Sequence, residues 1–299
     1  MAKPPSDFRH SGSRSVDRTK SPGRPDNGPR PRFEPAKPRG DNPEGQRPFP
    51  RGAQRPPREE TPAGISLLWG YHTVREALRA PRRRIHRLIA TQAAAERLAE
   101  EIAARGLKPV IVEADAIAQR LPQDAVHQGL LAEVRPLEPI QLSELPANGI
   151  VLVLDQITDP HNFGAILRTA AAFGVDAVIT TERHSPSQSG ILAKSASGAL
   201  EHVPLCPVVN LARAMEALED MNYQRIGLDS DAPASLEDLE LTRPLALVLG
   251  AEGKGLRRLT RENCNALVRL DLPGPIRSLN VSNACAAALT MVRMKLRAP

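Results

Sequence analysis

Arg277-Ser278-Leu279-Asn280-Val281-Ser282-Asn283-Ala284 leads directly into an apolar segment whose spacing predicts a helix over 284–296. Ser278, Asn280, Ser282 and Asn283 crowd donors and acceptors into the turn where that helix begins. The first N–H groups of a helix have no intrahelical acceptor, so such side chains either cap the helix or line a site. Ser278 is the candidate N-cap. Upstream, a strand is expected over 266–270, followed by a loop over 271–277 that contains Pro273, Gly274 and Pro275. Strand, loop and helix in this order form one step of an α/β fold.

Two earlier segments repeat that step. Val151-Leu152-Val153-Leu154 is a continuous apolar run, suited to a parallel strand buried on both faces. It leads into Asp159-Pro160-His161-Asn162-Phe163-Gly164-Ala165-Ile166-Leu167-Arg168-Thr169-Ala170, where a helix is predicted over 162–173. Asn162 falls where an N-cap belongs, and Gly164 removes bulk from the first turn. Ile166, Ala170 and Phe173 form the core stripe. Arg168 lies about 200° round from Ile166, on the opposite face. That face is free to meet a ligand beyond the strand ends, where open α/β sheets bind theirs. A cap followed by a surface arginine would account for the same residues.

The second segment is Leu247-Val248-Leu249-Gly250-Ala251-Glu252-Gly253-Lys254-Gly255-Leu256. A strand is expected over 245–249 and a helix over 256–262, with three glycines between them. The loop is not a phosphate-cradling G-x-x-x-x-G-K-[ST], because Gly255 follows Lys254, and it is not G-x-G-x-x-G. Glu252 within it would repel a pyrophosphate and suits a cationic or hydroxyl-bearing partner. An ordinary glycine-rich turn is the plainer alternative.

Around these segments the chain divides into 1–62, a small α/β unit over 66–135, a proline-containing linker over 136–149, and a larger α/β unit over 150–299. In the small unit helices are expected over 71–80, 93–105 and 115–121, and strands over 84–90, 108–112 and 129–134. Gly106 sits at a helix C-cap position. Arg82-Arg83-Arg84 is either a phosphate contact or a solvated charge cluster. In the larger unit further strands are expected over 176–181 and 223–228, and helices over 188–199 and 211–222. The alternation predicts a doubly wound sheet with helices on both faces.

Residues 1–62 hold 14 of the 29 prolines and a net charge of +6, equal to that of the whole chain, so the remainder is formally neutral. Few Leu, Ile or Val occur there, and such a segment cannot bury enough apolar surface to offset its ordering entropy. It is expected to be a disordered basic arm, attracted to nucleic-acid phosphates or serving only as a solubilising tail. Residues 1–10 lack a secretory apolar core, and no run approaches the ~18 apolar residues of a membrane span, so a cytoplasmic, membrane-free protein is expected. Cys206, Cys264 and Cys285 have neither zinc spacing nor a disulfide framework and fit a reducing compartment. No metal is expected.

The three segments, in this order, resemble the motifs of the SpoU family of RNA ribose 2'-O-methyltransferases, and the resemblance extends over about 67–296. Residues 66–135 are similar to the family's L30e-like RNA substrate-binding domain, with Gly70-Tyr71-His72-Thr73-Val74-Arg75-Glu76-Ala77-Leu78 at its head and Val126-His127-Gln128-Gly129 at its end. The resemblance implies a knotted (SPOUT-type) α/β methyltransferase domain near the C-terminus that binds S-adenosylmethionine. It implies cofactor contacts from the backbones of Gly250, Leu270 and Leu279, and an active centre of Asn162, Arg168, Glu252, Ser278 and Asn280. It also implies a homodimer. Where the family carries Ile-Pro-Met-x-Gly, this chain has Leu270-Asp271-Leu272-Pro273-Gly274; the glycine is kept and the proline displaced. The two-domain form is similar to members that methylate a guanosine ribose in 23S rRNA; a tRNA ribose methyltransferase and a non-catalytic RNA-binding protein of the same fold are the alternatives. Arg168 either relays the 2'-hydroxyl proton or, since arginine stays protonated, orients the substrate phosphate while the proton leaves to water.

Overall fold

The computed structural model describes residues 64–183 and 190–297. The expected basic arm over 1–62 and the start of the helix expected at 188 lie outside the described residues. The small unit contains β1 (Ser66–Trp69), α1 (Tyr71–Arg79), β2 (Ile85–Ala90), α2 (Gln92–Arg97), α3 (Ala99–Ala104), β3 (Val110–Ile111), α4 (Ala114–Ala118) and β4 (Leu130–Val134). Its sheet order is β1-β4-β2-β3, with β4 antiparallel to both neighbours. The helix expected over 93–105 is two helices. Leu98 leaves helical geometry (φ −116°, ψ 20°) and is fully buried at the break.

The larger unit contains β5 (Ile150–Asp155), α5 (Pro160–Ala172), β6 (Ala177–Thr181), α6 (Gly190–Ala196), β7 (Leu205–Val208), α7 (Leu211–Asp220), β8 (Gln224–Leu228), β9 (Ala234–Ser235), β10 (Leu245–Gly250), α8 (Arg258–Glu262), β11 (Ala266–Arg269) and α9 (Val281–Lys295). Its seven strands run parallel in the order β7-β6-β5-β10-β8-β11-β9. Strand order reverses between β5 and β10, so loops after these two strands open a crevice at their C-terminal ends. The apolar runs still alternate by face. Leu152, Leu154, Leu247 and Leu249 pack with α5 and α9, whereas Val151, Val153, Ala246 and Val248 pack with Met215 and Leu218 of α7.

One buried cluster extends from Val74, Leu88 and Leu130 of the small unit to Leu192, Ala193 and Ala196 of α6 and Ile166 of α5. Polar contacts reinforce it. Thr73 Oγ1 donates to the Ala193 carbonyl at 3.3 Å. Arg83 Nη2 donates to Glu201 Oε1 at 2.6 Å, Nε meets both carboxylate oxygens at 3.0 Å, and Nη1 donates to the Arg135 carbonyl at 2.8 Å. Both side chains of this ion pair are only 2% exposed. Arg83 is therefore no phosphate contact, and Arg82 and Arg84 alone remain exposed in that run. The linking segment 136–149 lies on the large sheet: Ile140 N–H donates to the Leu205 carbonyl at 2.9 Å, and Leu145 is buried. Burial pushes the thiol of Cys206 up to about 11 and those of Cys264 and Cys285 up to about 12, so all three stay protonated near neutral pH.

Candidate active site

The crevice holds a cavity of about 320 Å³. Its walls are loops that follow parallel strands: Leu228-Asp229-Ser230 after β8, Gly250 to Gly253 after β10, and Leu270 and Leu272 after β11. Arg277, Ser278, Leu279, Val281 and Ala284 close it from the start of α9. Gly250, Leu270 and Leu279 thus line one cavity, together with Ser278 and Glu252. Apolar walls with exposed loop backbone suit a flat heterocycle carrying polar groups, and the volume lies within the range of small-molecule sites.

Gly250 cannot be replaced without moving the loop. A Cβ there would lie 2.3 Å from the carbonyl carbon of Gly255 and 2.5 Å from Leu256 N. The chain doubles back over Gly250 through the Ala251–Gly255 bridge, with Gly255 N–H donating to the Ala251 carbonyl at 2.8 Å. Gly253 and Gly255 adopt positive φ (73° and 64°), which glycine accepts without steric cost. The tight turn presents Glu252 at the cavity edge.

Glu252 is the hub of a hydrogen-bonded triangle. Asn162 Nδ2 donates to Glu252 Oε1 at 3.0 Å, and Asn280 Nδ2 donates to the same oxygen at 2.5 Å. Asn280 Nδ2 also donates to Asn162 Oδ1 at 3.0 Å. Three residues, each from a different motif, meet through one carboxylate oxygen, which leaves Oε2 without a partner in the triangle.

Two capping expectations are corrected. Asp159 caps α5, with Oδ2 accepting from Asn162 N–H at 2.9 Å, and Pro160 occupies the first turn. Proline has no N–H to satisfy and its fixed φ suits a helix start, so the helix begins two residues earlier than expected. The side chain of Asn162 is thereby free to reach Glu252. Asn280, not Ser278, caps α9: its Oδ1 accepts from Ser282 N–H at 2.9 Å while its amide faces Glu252. Ser278 faces the cavity instead.

Gly164 lets α5 approach α6 closely; a Cβ there would lie 2.3 Å from Ser195 Cβ. Arg168 is exposed on the outer face of α5, as its spacing from Ile166 implies, and it neither lines the cavity nor joins the triangle. An ion pair beside the glycine loop, Asp155 with Arg257, escaped the sequence reading. Asp155 ends β5 with its side chain fully buried, and its signal in the sequence is an acid closing an apolar run. The wall formed by Leu228, Asp229 and Ser230 carries no motif, because its contribution follows from strand order. Asp229 is held by an ion pair with Arg261. Among the described residues no group of three or more His, Cys, Asp or Glu could hold a metal ion, and no helix is long and apolar enough to cross a membrane.

An open parallel sheet with a loop-walled cavity at its switch point, edged by an amide–carboxylate triangle, places the chain among the α/β proteins that bind small molecules beyond their strand ends. The chain belongs to the SpoU rRNA methylase family, whose model matches residues 149–290. A second model, RNA 2'-O ribose methyltransferase substrate binding, matches residues 67–140. The 23S rRNA (guanosine-2'-O-)-methyltransferase RlmB of Yersinia pestis is 43% identical over 202 residues, covering 62% of this chain and 82% of the relative. That of Escherichia coli K12 is 40% identical over 235 residues, covering 75% and 96%. The fold is also similar to the SpoU methyltransferase AviRb from Streptomyces viridochromogenes, solved with AdoMet, with a TM-score of 0.67 at 21% identity over 79% of this chain and 92% of that one.

Proposed function

We propose that this chain transfers a methyl group from S-adenosyl-L-methionine to the ribose 2'-hydroxyl of a guanosine in 23S rRNA. The observation that carries the reading is the triangle Asn162–Glu252–Asn280 at the edge of the cavity lined by Gly250, Leu270 and Leu279. Family membership and the RlmB relatives support the reaction and the substrate class. The cavity and its loop backbones are suited to the cofactor, and Glu252 suits a neighbour that is cationic or carries hydroxyls. The cofactor, when bound, supplies a methyl group on a positively charged sulfur. Aligning the 2'-oxygen with that carbon falls to this chain, and orientation is the larger part of the task. Arg168, exposed and outside the triangle, grips the adjacent phosphate with its planar fork and stabilises the 2'-alkoxide formed as the hydroxyl proton passes to water; that oxygen bonds the methyl carbon as the carbon–sulfur bond breaks and the neutral thioether leaves. Residues 66–135 select the RNA, and the exposed Arg82 and Arg84 offer phosphate contacts there.

The reading is tested by calorimetry with S-adenosylhomocysteine in excess chelator, where one site per chain is expected. Binding that is absent, or lost on chelation, overturns the cofactor assignment. Ribose methylation mapped across rRNA and tRNA in cells lacking the protein is expected to show one missing mark, in 23S rRNA; loss of a tRNA mark instead reassigns the substrate.

We further propose a cytoplasmic homodimer. Three unpaired cysteines suit a reducing compartment. On α9, Ala286 and Ala287 are half-buried and Met294 is 68% exposed, an apolar surface that a second copy would cover. Light scattering at micromolar concentration is expected to give twice the chain mass, and a fully active monomer contradicts the proposal.

A further inference from the structure

We infer that Asp155 and Arg257 form a latch that fixes the glycine loop and so sets the position of Glu252. Asp155 is then a positioning residue for the reaction proposed above, on which the inference rests. Asp155 is the last residue of β5 and its carboxylate is 0% exposed. Its Oδ2 accepts the backbone N–H of Arg257 at 2.9 Å, and its Oδ1 accepts Arg257 Nε–H at 2.6 Å. Arg257 lies two residues past Gly255 of the glycine loop, at the N-cap of α8. The other end of that loop, Gly250, lies beside the same Asp155 in the register of β10 on β5. Both ends of the segment 250–257 are therefore fastened at one residue.

Between those ends the loop has little freedom. The Ala251–Gly255 bridge draws its sides together, and Gly250 lies against Gly255 and Leu256 with no room for a Cβ. Glu252 sits on this closed turn, and its Oε1 must meet the amides of Asn162 and Asn280 together. A loop that drifts at its Arg257 end moves that oxygen away from both partners. It also moves the cavity wall formed by Ala251, Gly253 and Gly255.

The carboxylate is suited to this task because both acceptors face donors of one residue. An amide of equal volume offers one acceptor and places an N–H against an N–H. A buried charge also holds the guanidinium in one orientation, although the Arg257 side chain is 45% exposed. That exposure makes the latch testable, since Arg257 lies outside the buried apolar clusters.

The test uses the full chain with Asp155→Asn, Arg257→Ala, Arg257→Lys and Glu252→Gln, measuring S-adenosylhomocysteine affinity, turnover on an rRNA fragment and melting temperature. A displacement near 1 Å at a reacting centre costs about 100-fold in rate, and that loss is expected for Asp155→Asn. Cofactor affinity is expected to fall about tenfold, one cavity wall being displaced. Arg257→Ala, which keeps the backbone N–H bond to Asp155 Oδ2, should show a smaller loss of the same pattern, and Arg257→Lys should recover part of it. The pair Asp155→Asn with Glu252→Gln should lose no more than the worse single variant, because both act on one oxygen.

Multiplying losses in that pair, or a lowered melting temperature with unchanged kinetic constants, would overturn the latch. So would Arg257 variants that weaken RNA binding alone, which would make Arg257 an RNA contact. If Asp155→Asn fails to fold, the two Arg257 variants decide. Absent cofactor binding by the unaltered chain overturns the cofactor reading and this inference together; binding and turnover indifferent to Asp155→Asn and Arg257→Ala overturn the latch alone.

Discussion

Arg168→Ala is expected to lower turnover by about 10²–10³-fold while leaving S-adenosylhomocysteine affinity within about twofold. The magnitude is that of removing one preorganised donor from a site where negative charge develops. The selectivity follows from placement. Arg168 lies on the outer face of α5, does not line the cavity and joins neither the triangle nor the latch. Removing it therefore disturbs no wall against which the cofactor rests. Arg168→Lys should recover little, because a point charge on a flexible stem does not replace a planar fork. Calorimetry and single-turnover kinetics on the same preparations make the comparison. An equal fall in cofactor affinity would move Arg168 into the cavity or assign it a structural role.

Glu252→Ala is expected to fail in the opposite pattern, with cofactor affinity and turnover falling together. The carboxylate accepts from Asn162 and Asn280 and lies 3.4 Å from Val281 N–H, so its loss leaves two amides and a helix start without their common acceptor. It also removes part of the cavity wall. A combined effect of about 100-fold or more on kcat/KM is expected, the loss of several coupled bonds in one network. A fall in kcat with unchanged cofactor affinity would show that Glu252 acts on the RNA alone.

Much of this site is legible in the sequence because its parts sit at local landmarks. Strand ends, glycine turns and helix starts have signatures readable over a few residues, and these make Asn162, Gly250, Glu252, Ser278 and Asn280 candidates for capping, turning or binding; the family resemblance decides between those roles. The face on which Arg168 lies follows from helical pitch alone. What escaped depends on pairing across long separations. β1 is a strand because Ser66–Trp69 pairs with Leu131–Val134, which no local pattern announces. β7 contains Pro207 at a sheet edge, and β9 has two residues. Asp155 and Arg257 lie about a hundred residues apart, so neither announces the other. The caps were misplaced for a narrower reason. Asp159, Asn162, Ser278 and Asn280 are all competent N-caps, and only the path of the chain decides which of them caps and which serves the site.

The buried pair of Arg83 and Glu201 bears on how the enzyme could be re-engineered. Specificity is often redirected by grafting a recognition module from one relative onto the body of another. Here the junction is not a free tether. The small sheet shares its interior with α6, and its Arg83 supplies the counter-charge for a carboxylate held by the large unit. A graft that lacks this arginine leaves Glu201 as an uncompensated charge out of reach of water, a change that costs about 3–5 kcal/mol. Excision of the small sheet would also bare apolar side chains of α6. Changes to exposed side chains of the small unit leave this shared interior intact, whereas exchange of the whole sheet does not.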